Sequence, residues 1–415
     1  MSPEAVPSPA PAAAPSADAS PAQQEPAGPQ PPPVPVPPRP DEAPQPSVQP
    51  EPPAEPAPPT AVSEEERCRV SEILEPSCGV WWGASPWQGD VYPLERAAGR
   101  RMDIVYTWHG VDQHDIPDEE ERVLLDEGRF LHANVEARRF TEPGHPEVSY
   151  RQIIDGEFDA SLAAQARGVA ATGRPYFITF DHEADAGRRY EKRGTPEEFT
   201  QAWRHIVELY RRNGAGNAIF VWNVTGWPAN LDRLPGLWPG NDYVDWLSWE
   251  AYNMTGCELQ PDWEEVLSFE EALAPTYEWV QTEGPKHGID PDKPVMIGEM
   301  GTVPIPGDPQ ATAAWYAEIP EVLRGYERVR AVKVWDGVTA PTCDFRVLED
   351  PHAIRGFAQA GRDPYVNLPP RAREAVEDAL SLVEEAQEEA RQEAREEARR
   401  RREDSAEEDG ERSGG

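Results

Sequence analysis

The chain has 415 residues, of which 28% are charged and 38% hydrophobic, and its formal net charge is −37. A surface this acidic would repel nucleic acid and anionic lipid, so we expect neither as a partner. No run of about 18 apolar residues occurs, so we expect no membrane insertion.

The N-terminal segment, residues 1–62, contains 23 of the 48 prolines and no aromatic residue. Such a segment cannot bury enough apolar surface to become ordered, so we expect a disordered Pro/Ala-rich linker. Its first residues have neither a basic start nor an apolar stretch, so no signal peptide is visible. The folded body is expected at residues 63–370, which contain all 14 tryptophans.

The chain has four cysteines whose spacing fits no zinc-binding pattern. Of the three possible pairings we favour Cys68–Cys78 with Cys257–Cys343. Four free thiols in a cytosolic protein are the alternative. Disulfides persist in oxidising surroundings, so the favoured pairing predicts an extracellular or cell-surface protein.

Eight hydrophobic runs in the body end in polar residues, as expected for parallel strands that are buried on both faces. They span residues 79–85, 103–110, 130–137, 175–183, 218–224, 244–253, 294–301 and 331–337. Helical segments separate them, and the clearest begins with a capping box at 195–198. Strands that alternate with helices in this way predict a single (β/α)₈ TIM barrel of the α/β class.

The C-terminal segment, residues 371–415, is rich in Glu, Arg and Ala, which favours helix. Beyond Val383 its repeating apolar residue is alanine, which is too small for a firm coiled-coil seam. We therefore expect a charged, solvated helical tail.

Candidate reacting groups lie at the ends of the predicted strands, where barrels of this kind place their active sites. Glu183 ends the fourth run and Glu299 lies near the end of the seventh. Glycoside hydrolysis needs one carboxyl group to protonate the leaving oxygen and a second to attack the anomeric carbon or activate water. Aromatic rings near the other strand ends could stack on sugar rings, namely Trp87, Trp222, Tyr252 and Trp335.

Five segments of the body carry the motifs GVWWGASPW (79–87), FDHE (180–183), VDWLSWEAYN (244–253), PVMIGEMG (294–301) and VKVWDG (332–337). Together they resemble glycoside hydrolase family 26, the β-mannanase-like group within the clan A barrels. The resemblance covers roughly residues 78–360. Its best motifs are His-Glu after strand four and Gly-Glu-x-Gly at the end of strand seven.

The resemblance implies roles for five residues. Glu183 would be the general acid/base and Glu299 the nucleophile of a retaining double displacement. His182 would hold the sugar beside the acid/base, and Tyr252 would hydrogen-bond the nucleophile. Trp335 would form the floor of the site of cleavage.

The stretch after Glu183 departs from the family pattern His-Glu-x-Asn-Gly-Trp. This chain has Asp185 in place of the usual Asn, and no Trp follows. These positions shape the subsites beside the acid/base, so the departure bears on the sugar more than on the reaction class. Mannan is the default substrate, and other β-linked glucans or xylans are alternatives.

The two carboxyl groups need different protonation states. Glu299 should be ionised at neutral pH if Tyr252 donates to it, whereas Glu183 must carry a proton for the first step. Burial among aromatic side chains, with Asp181 and Asp185 nearby, would favour that protonated form.

Several candidate site residues could have a packing role instead of contacting the sugar. His109 could contact a sugar or be a packed strand histidine, and Trp87 and Trp222 could be core filler. Tyr252 and Trp335 could merely cap the barrel core. Consecutive strand residues point to alternate faces, so the acidic residues around His182 do not predict a metal site. Nucleotide-binding glycine motifs are absent from the sequence, and we expect neither a metal nor another cofactor.

These observations predict a monomeric, retaining, endo-acting β-glycosidase that cleaves β-mannan or another β-linked polysaccharide. The alternatives are a catalytically silent glycan-binding barrel displayed by its tails, and a surface spacer or scaffold with only vestigial activity. The retention of Glu183 and Glu299 beside Tyr and Trp residues favours the enzyme.

Overall fold

The structure, a computed structural model, describes residues 68–86, 90–187, 190–260, 263 and 265–368. Eight parallel strands pair in chain order and close into a barrel, because β1 also pairs with β8. They are β1 (Trp81–Pro86), β2 (Ile104–Gly110), β3 (Phe130–Glu136), β4 (Tyr176–Phe180), β5 (Ala218–Val224), β6 (Trp246–Asn253), β7 (Val295–Thr302) and β8 (Val329–Asp336). Each overlaps one of the eight predicted runs, so the predicted TIM barrel is confirmed.

Helices connect the strands and pack around the barrel. They are α1 (Val91–Ala98), α2 (Glu119–Asp126), α3 (Tyr150–Ile154), α4 (Asp159–Thr172), α5 (Tyr190–Arg193), α6 (Pro196–Arg212), α7 (Leu234–Leu237), α8 (Phe269–Thr282), α9 (Pro309–Ala317), α10 (Ile319–Leu323) and α11 (Pro351–Ala360). Short 3₁₀ helices lie at Pro228–Arg233, Asn241–Tyr243 and Gly284–His287. After β8 the chain forms a small antiparallel hairpin, β9 (Val338–Ala340) and β10 (Cys343–Asp344), which the sequence did not predict.

Helix α6 shows how local sequence sets an element boundary. The Thr195 hydroxyl accepts from the backbone N–H of Glu198, and the Glu198 side chain accepts from the backbone N–H of Thr195. This is the predicted capping box, which satisfies two backbone donors that the first turn leaves unpaired. The helix ends before Gly214, whose φ of +86° suits glycine.

Two apolar clusters form the body of the core. A large apolar cluster fills the space between strands and helices, and a smaller one fills the N-terminal end of the barrel around Trp81 and Trp246. The indole N–H of Trp81 donates to the carbonyl oxygen of Leu74 at 2.7 Å, and that of Trp246 donates to the carbonyl oxygen of Ile73 at 2.7 Å. Residues 68–78 therefore close the barrel bottom, at the end away from the strand carboxyl termini.

Both predicted disulfides are present. Cys68–Cys78 fastens the segment that closes the barrel bottom, and Cys257–Cys343 joins the loop after β6 to the hairpin after β8. The predicted segments 1–62 and 371–415 lie outside the described residues. Within the part of the chain that the structure describes, no helix has the length and apolar character to cross a membrane.

Candidate active site

The turn after β4 carries two residues in the left-handed region, with φ of +50° at Asp181 and +54° at Glu183. Each such residue costs about 1–3 kcal/mol and persists only where its surroundings hold it. At the start of the turn, the buried Asp181 carboxylate accepts from the Tyr150 hydroxyl at 2.7 Å and pairs with the buried Arg193. These contacts fix the backbone that presents Glu183.

Asp185 holds the other end of the turn. Its buried carboxylate accepts from the backbone N–H of Thr225 at 2.8 Å and from the Thr225 hydroxyl, while Arg233 donates to its carbonyl oxygen at 2.8 Å. Burial raises the pKa of Asp185, although the bonds with Thr225 oppose that shift. Asp185 was expected to shape a subsite, but it is fully buried and acts as an anchor of the turn.

His182 and Glu183 lie between these anchors. The Glu183 backbone N–H donates to the carbonyl oxygen of Asn223 at 3.1 Å, which ties the turn to β5. The Asn134 side chain accepts from the His182 backbone N–H at 3.2 Å, and its amide nitrogen lies 2.7 Å from Nδ1 of the His182 ring. Because that amide donates to Nδ1, the neutral ring carries its proton on Nε2.

Glu299, on β7, is the second predicted carboxylate. The Tyr252 hydroxyl on β6 donates to its Oε2 at 2.7 Å, as the family resemblance implied. Burial and then the negative charge of Glu299 raise the pKa of Tyr252 well above its ordinary value, so Tyr252 remains a donor. The preceding residue must be glycine, because a Cβ at Gly298 would lie 2.2 Å from Oδ1 of Asn223.

A third carboxyl group, Glu250, adjoins both of the predicted ones and was missed in the sequence. A register shift in the β6–β7 pairing brings Glu250 directly opposite Glu299. The Asn223 amide donates to Oε1 of Glu250 at 3.2 Å, and the Glu183 side chain lies within hydrogen-bonding reach of Glu250. Burial, followed by the charges of Glu183 and Glu299, raises the pKa of Glu250 well above the ordinary carboxyl value.

A buried polar layer lies within the barrel near these carboxyl groups. Nζ of Lys333 is 2.6 Å from Nδ1 of His132 and 3.4 Å from the ring centre of Tyr106. Nε2 of His132 lies 2.8 Å from the Thr179 hydroxyl oxygen. Burial lowers the pKa of Lys333 and that of His132 well below their ordinary values. These residues, which the sequence analysis also missed, give the middle of this barrel a polar interior.

An aromatic cluster adjoins the carboxyl groups. The Trp335 and Trp108 rings meet edge to face with centroids 5.6 Å apart, and the Tyr252 and Phe345 centroids are 4.9 Å apart. The Cys257–Cys343 disulfide is part of the same cluster. Trp335 therefore lies near the candidate site, and Trp108 is an addition that the sequence analysis missed.

Two further tryptophans extend this cluster. The partly buried Trp227 and Trp263 pack against it, and their ring centroids are 6.4 Å apart. Both were missed, because they lie in loops and not in the predicted strands. Aromatic faces of this kind can cover the C–H faces of sugar rings.

The structure places two of the predicted sugar contacts elsewhere. His109 is buried against α2, where Nε2 lies 2.7 Å from Oε1 of Glu121, so the expectation of a sugar contact is corrected. Trp222 is also corrected, because it belongs to the core between strands and helices and packs on Trp238 at 5.1 Å. Trp87 lies outside the described residues.

The acidic residues of the β4 turn do not converge on one point. Asp181 pairs with Arg193, whereas Asp185 is bonded to Thr225. Across the described ranges, no group of three or more His, Cys, Asp or Glu residues is arranged to hold a metal ion. The turn is organised by hydrogen bonds and an ion pair that hold Glu183 between two anchors.

Comparison with known proteins identifies relatives of similar sequence. Over 299 residues the chain is 27% identical to endoglucanase H of Acetivibrio thermocellus, an alignment that covers 68% of this chain and 30% of that protein. Over 215 residues it is 23% identical to β-1,3-xylanase TXYA of a Vibrio species, covering 51% and 41%. The chain thus spans less than half the length of these relatives. Protein-family models give no match.

Solved structures share the barrel. A family 26 β-mannanase from Bacteroides ovatus superposes with a TM-score of 0.51 at 16% identity, covering 70% of this chain and 90% of that one. A family 26 endo-β-1,4-mannanase from Cellulomonas fimi gives a TM-score of 0.51 at 17% identity, covering 71% and 73%. The chain is therefore similar in sequence to an endoglucanase and a β-1,3-xylanase, and its predicted resemblance to glycoside hydrolase family 26 is confirmed in the barrel fold that it shares with these mannanases.

Proposed function

We propose that the chain is a retaining β-glycoside hydrolase that cleaves a polysaccharide, with Glu183 as general acid/base and Glu299 as nucleophile. The observation that carries the proposal is the placement of these two carboxyl groups after β4 and on β7, with Tyr252 bonded to Glu299. The similarity to an endoglucanase and a β-1,3-xylanase supports the same reaction class.

In the first step, a carboxylate oxygen of Glu299 forms a bond to the anomeric carbon while the glycosidic C–O bond breaks. Glu183 transfers its proton to the leaving oxygen, and a glycosyl ester of Glu299 remains. The hydrogen bond from Tyr252 orients the Glu299 carboxylate for this attack. The turn anchored by Asp181 and Asp185 fixes the position of Glu183, so little reorganisation is needed.

In the second step, water attacks the anomeric carbon and the ester bond to Glu299 breaks. Glu183, now a carboxylate, accepts the proton of the attacking water, which returns both groups to their starting states. Two inversions at the anomeric carbon give net retention. The ring of His182, held by Asn134, carries a proton on Nε2 that can be donated to a sugar hydroxyl.

The substrate in this proposal is a β-linked polysaccharide, for which β-mannan, β-glucan and β-1,3-xylan are the candidates. Mannan is suggested by the mannanases that share the fold, glucan by the endoglucanase, and β-1,3-xylan by the β-1,3-xylanase. A neutral polymer also suits a chain with a net charge of −37. Trp335, Trp108 and the loop tryptophans Trp227 and Trp263 supply rings for stacking on sugars.

The first experiment is reducing-sugar release from mannan, glucomannan, mixed-linkage glucan, curdlan, β-1,4-xylan and β-1,3-xylan, with Glu299→Ala as the control. Activity on one polymer that disappears in the variant supports the enzyme and identifies the substrate. If the protein cleaves none of these polymers but its migration is retarded in a gel that contains a glycan, a glycan-binding barrel would be favoured instead. If the protein neither cleaves nor binds any glycan, both the enzyme and the glycan-binding barrel are rejected.

The two roles are separated by the products formed with azide on an activated aryl glycoside. The Glu183→Ala variant should give the glycosyl azide of retained configuration, because azide attacks the ester of Glu299 without needing a base. The Glu299→Ala variant should give the inverted azide, because azide takes the place of the nucleophile. The opposite configurations would indicate that Glu183 is the nucleophile and Glu299 the acid/base.

We infer that the protein works in an oxidising compartment, outside the cell or at its surface. Both predicted cysteine pairs are disulfide-bonded. Thiol titration of denatured protein isolated from its natural source tests this. Titration should find no free thiol, and four free thiols would contradict the inference.

A further inference from the structure

Glu250 is a buried carboxyl group at the centre of the candidate site that the double displacement does not itself use. It is 2% exposed and faces Glu299 across the β6–β7 ladder. It lies within hydrogen-bonding reach of Glu183 on one side and accepts from the Asn223 amide at 3.2 Å on the other. One carboxyl group therefore contacts the acid/base and lies opposite the nucleophile.

A hydrogen bond between two carboxyl groups requires a proton on one of them. Oε1 of Glu250 accepts from Asn223, and Oε2 can carry a proton for a hydrogen bond with Glu183. Adjacent carboxylates buried together cannot all be ionised. Burial together with the charge of Glu299 favours a proton on Glu250 even while Glu183 is itself protonated.

Three other titratable groups interact with this cluster. The phenols of Tyr106 and Tyr252 interact electrostatically with Glu250. Burial and the surrounding carboxylates raise the pKa values of both phenols well above normal. Both phenols are therefore neutral. Lys333 also interacts with Glu250 and Glu299, but burial lowers its pKa well below the ordinary value. Burial therefore weakens Lys333 as a cationic partner that would favour the ionised form of Glu250.

We propose that Glu250 is a positioning residue for the acid/base, a protonated carboxyl group that donates a hydrogen bond to Glu183. The inference rests on the proposed function and deepens it. When Glu183 gives its proton to the leaving oxygen, the Glu183 carboxylate that forms accepts the hydrogen bond of Glu250. Glu250 keeps its proton throughout and forms no bond to substrate.

This bond has its largest effect on the ionised form of Glu183. Hydrogen bonds to a charged acceptor are roughly twice as strong as neutral ones. The donor is already in place, so its contribution grows as negative charge develops on Glu183. The requirement is for a neutral donor at this position that also accepts from Asn223, and glutamine meets it.

Infrared difference spectroscopy at neutral pH tests the protonation state without a substrate. Subtracting the spectrum of Glu250→Gln from that of the wild type should reveal the C=O stretch of one protonated carboxyl group. The matched control is Glu278→Gln, an exposed residue of α8, which should remove carboxylate bands alone. If the Glu250 difference also contains carboxylate bands alone, Glu250 is ionised and the inference fails.

Kinetics test the role of the proton, using the polymer that the wild type cleaves. Glu250→Leu should lower kcat about 10- to 100-fold with KM nearly unchanged, and Glu250→Gln should restore it to within about threefold of the wild type. With a dinitrophenyl glycoside, whose leaving group needs no proton, the Leu variant should cleave the aryl bond at nearly the wild-type rate. Circular dichroism checks that both variants fold.

The outcomes separate this inference from the proposed function. Equal losses of Glu250→Leu on the polymer and on the aryl-bond step would indicate a general structural role and overturn the inference alone. Wild-type glycosidase activity with full activity in Glu250→Leu would overturn it as well. Failure of the wild type to cleave any glycan would reject the proposed function, and the inference with it.

Discussion

The Tyr252 hydroxyl donates a 2.7 Å hydrogen bond to Oε2 of Glu299 across the pair of neighbouring strands β6 and β7. Tyr252 is partly buried, and its pKa is raised well above normal, first by burial and then by the charge of Glu299. The phenol therefore remains a donor throughout the pH range in which a glycosidase could work. In the proposed mechanism the other carboxylate oxygen of Glu299, Oε1, would attack the anomeric carbon.

The variant Tyr252→Phe removes this bond and leaves the packing of the ring on Phe345 in place. We expect kcat to fall about 10- to 100-fold, because the Glu299 carboxylate loses its orienting donor. KM should change less than kcat. Steady-state kinetics on the polymer found in the panel measure both, and unaltered kcat would show that the bond has no part in attack.

The anchors of the β4 turn predict unequal effects for two Asp→Asn variants. Asp181→Asn removes the carboxylate in direct contact with the buried Arg193, which keeps only its longer contacts with Glu136 and Glu147, at 3.9 and 3.6 Å. It should lower the free energy of unfolding by up to about 3–5 kcal/mol. It should also lower kcat at least about tenfold, because Glu183 is held by the same turn. Urea unfolding and kinetics of the folded variant measure the two effects.

Asp185→Asn is the matched control. An amide oxygen can still accept from the Thr225 backbone N–H, and asparagine is the usual residue of family 26 at this position. Burial raises the pKa of Asp185, so its ionised form is disfavoured in the fold and lowers stability as pH rises above the ordinary Asp range. We expect Asp185→Asn to be neutral or stabilising at neutral pH, and a loss like that of Asp181→Asn would contradict the model of two distinct anchors.

The fold could be predicted from the sequence because each strand run is nearly all apolar and ends in polar residues. The direction in which each side chain points was harder to predict. Strands buried on both faces lack the alternation of polar and apolar residues that would show which side chains point into the barrel. His109 and Trp222 were chosen for their nearness to a strand end, yet their neighbours Trp108 and Asn223 face the site. A shift of one position along a strand moves a side chain to the opposite face.

Glu250 had a signal in the sequence that was not used. It lies two positions before Tyr252, so the two share a strand face. Once Tyr252 was assigned to the site, the same spacing pointed to Glu250. Asp181–Arg193 had no such signal, because Arg193 comes from the short helix α5 and meets the turn only in the folded chain.

The two disulfides predict different consequences because they lie at opposite ends of the barrel. Cys257–Cys343 joins two loops beside the aromatic cluster, and Cys68–Cys78 fastens the bottom segment. Replacing either pair by alanine should lower Tm by about 5–10 °C. The Cys257/Cys343 double variant alone should also raise KM for the polymer, by at least about threefold.

Tm by calorimetry and KM from steady-state kinetics measure these two effects. Cys68/Cys78 serves as the control for general destabilisation, because its loops do not contact the site residues. If both double variants raise KM equally, the effect comes from lost stability and not from the loops beside Trp335.

The buried pair His109–Glu121 predicts how stability depends on pH. Burial alone would lower the pKa of His109 and raise that of Glu121, but their mutual attraction and hydrogen bond outweigh it and reverse both shifts. The raised pKa of His109 contributes stability below about pH 6.5, which is lost as pH rises through the folded value. The lowered pKa of Glu121 contributes stability above about pH 4.5, which is lost as pH falls.

The variant Glu121→Gln removes the attraction and can still accept from the backbone N–H of Asp118 in the capping box. We expect a loss of about 3 kcal/mol in the free energy of unfolding at about pH 6, because a buried charge pair is broken. The loss should shrink as the pH rises through the pKa of His109 in the folded protein, above which the imidazole is neutral. Urea unfolding at several pH values measures it, and His109→Gln should flatten the profile in the same way. A loss of constant size across that range would show that packing, and not the charge on His109, accounts for the stability of this contact.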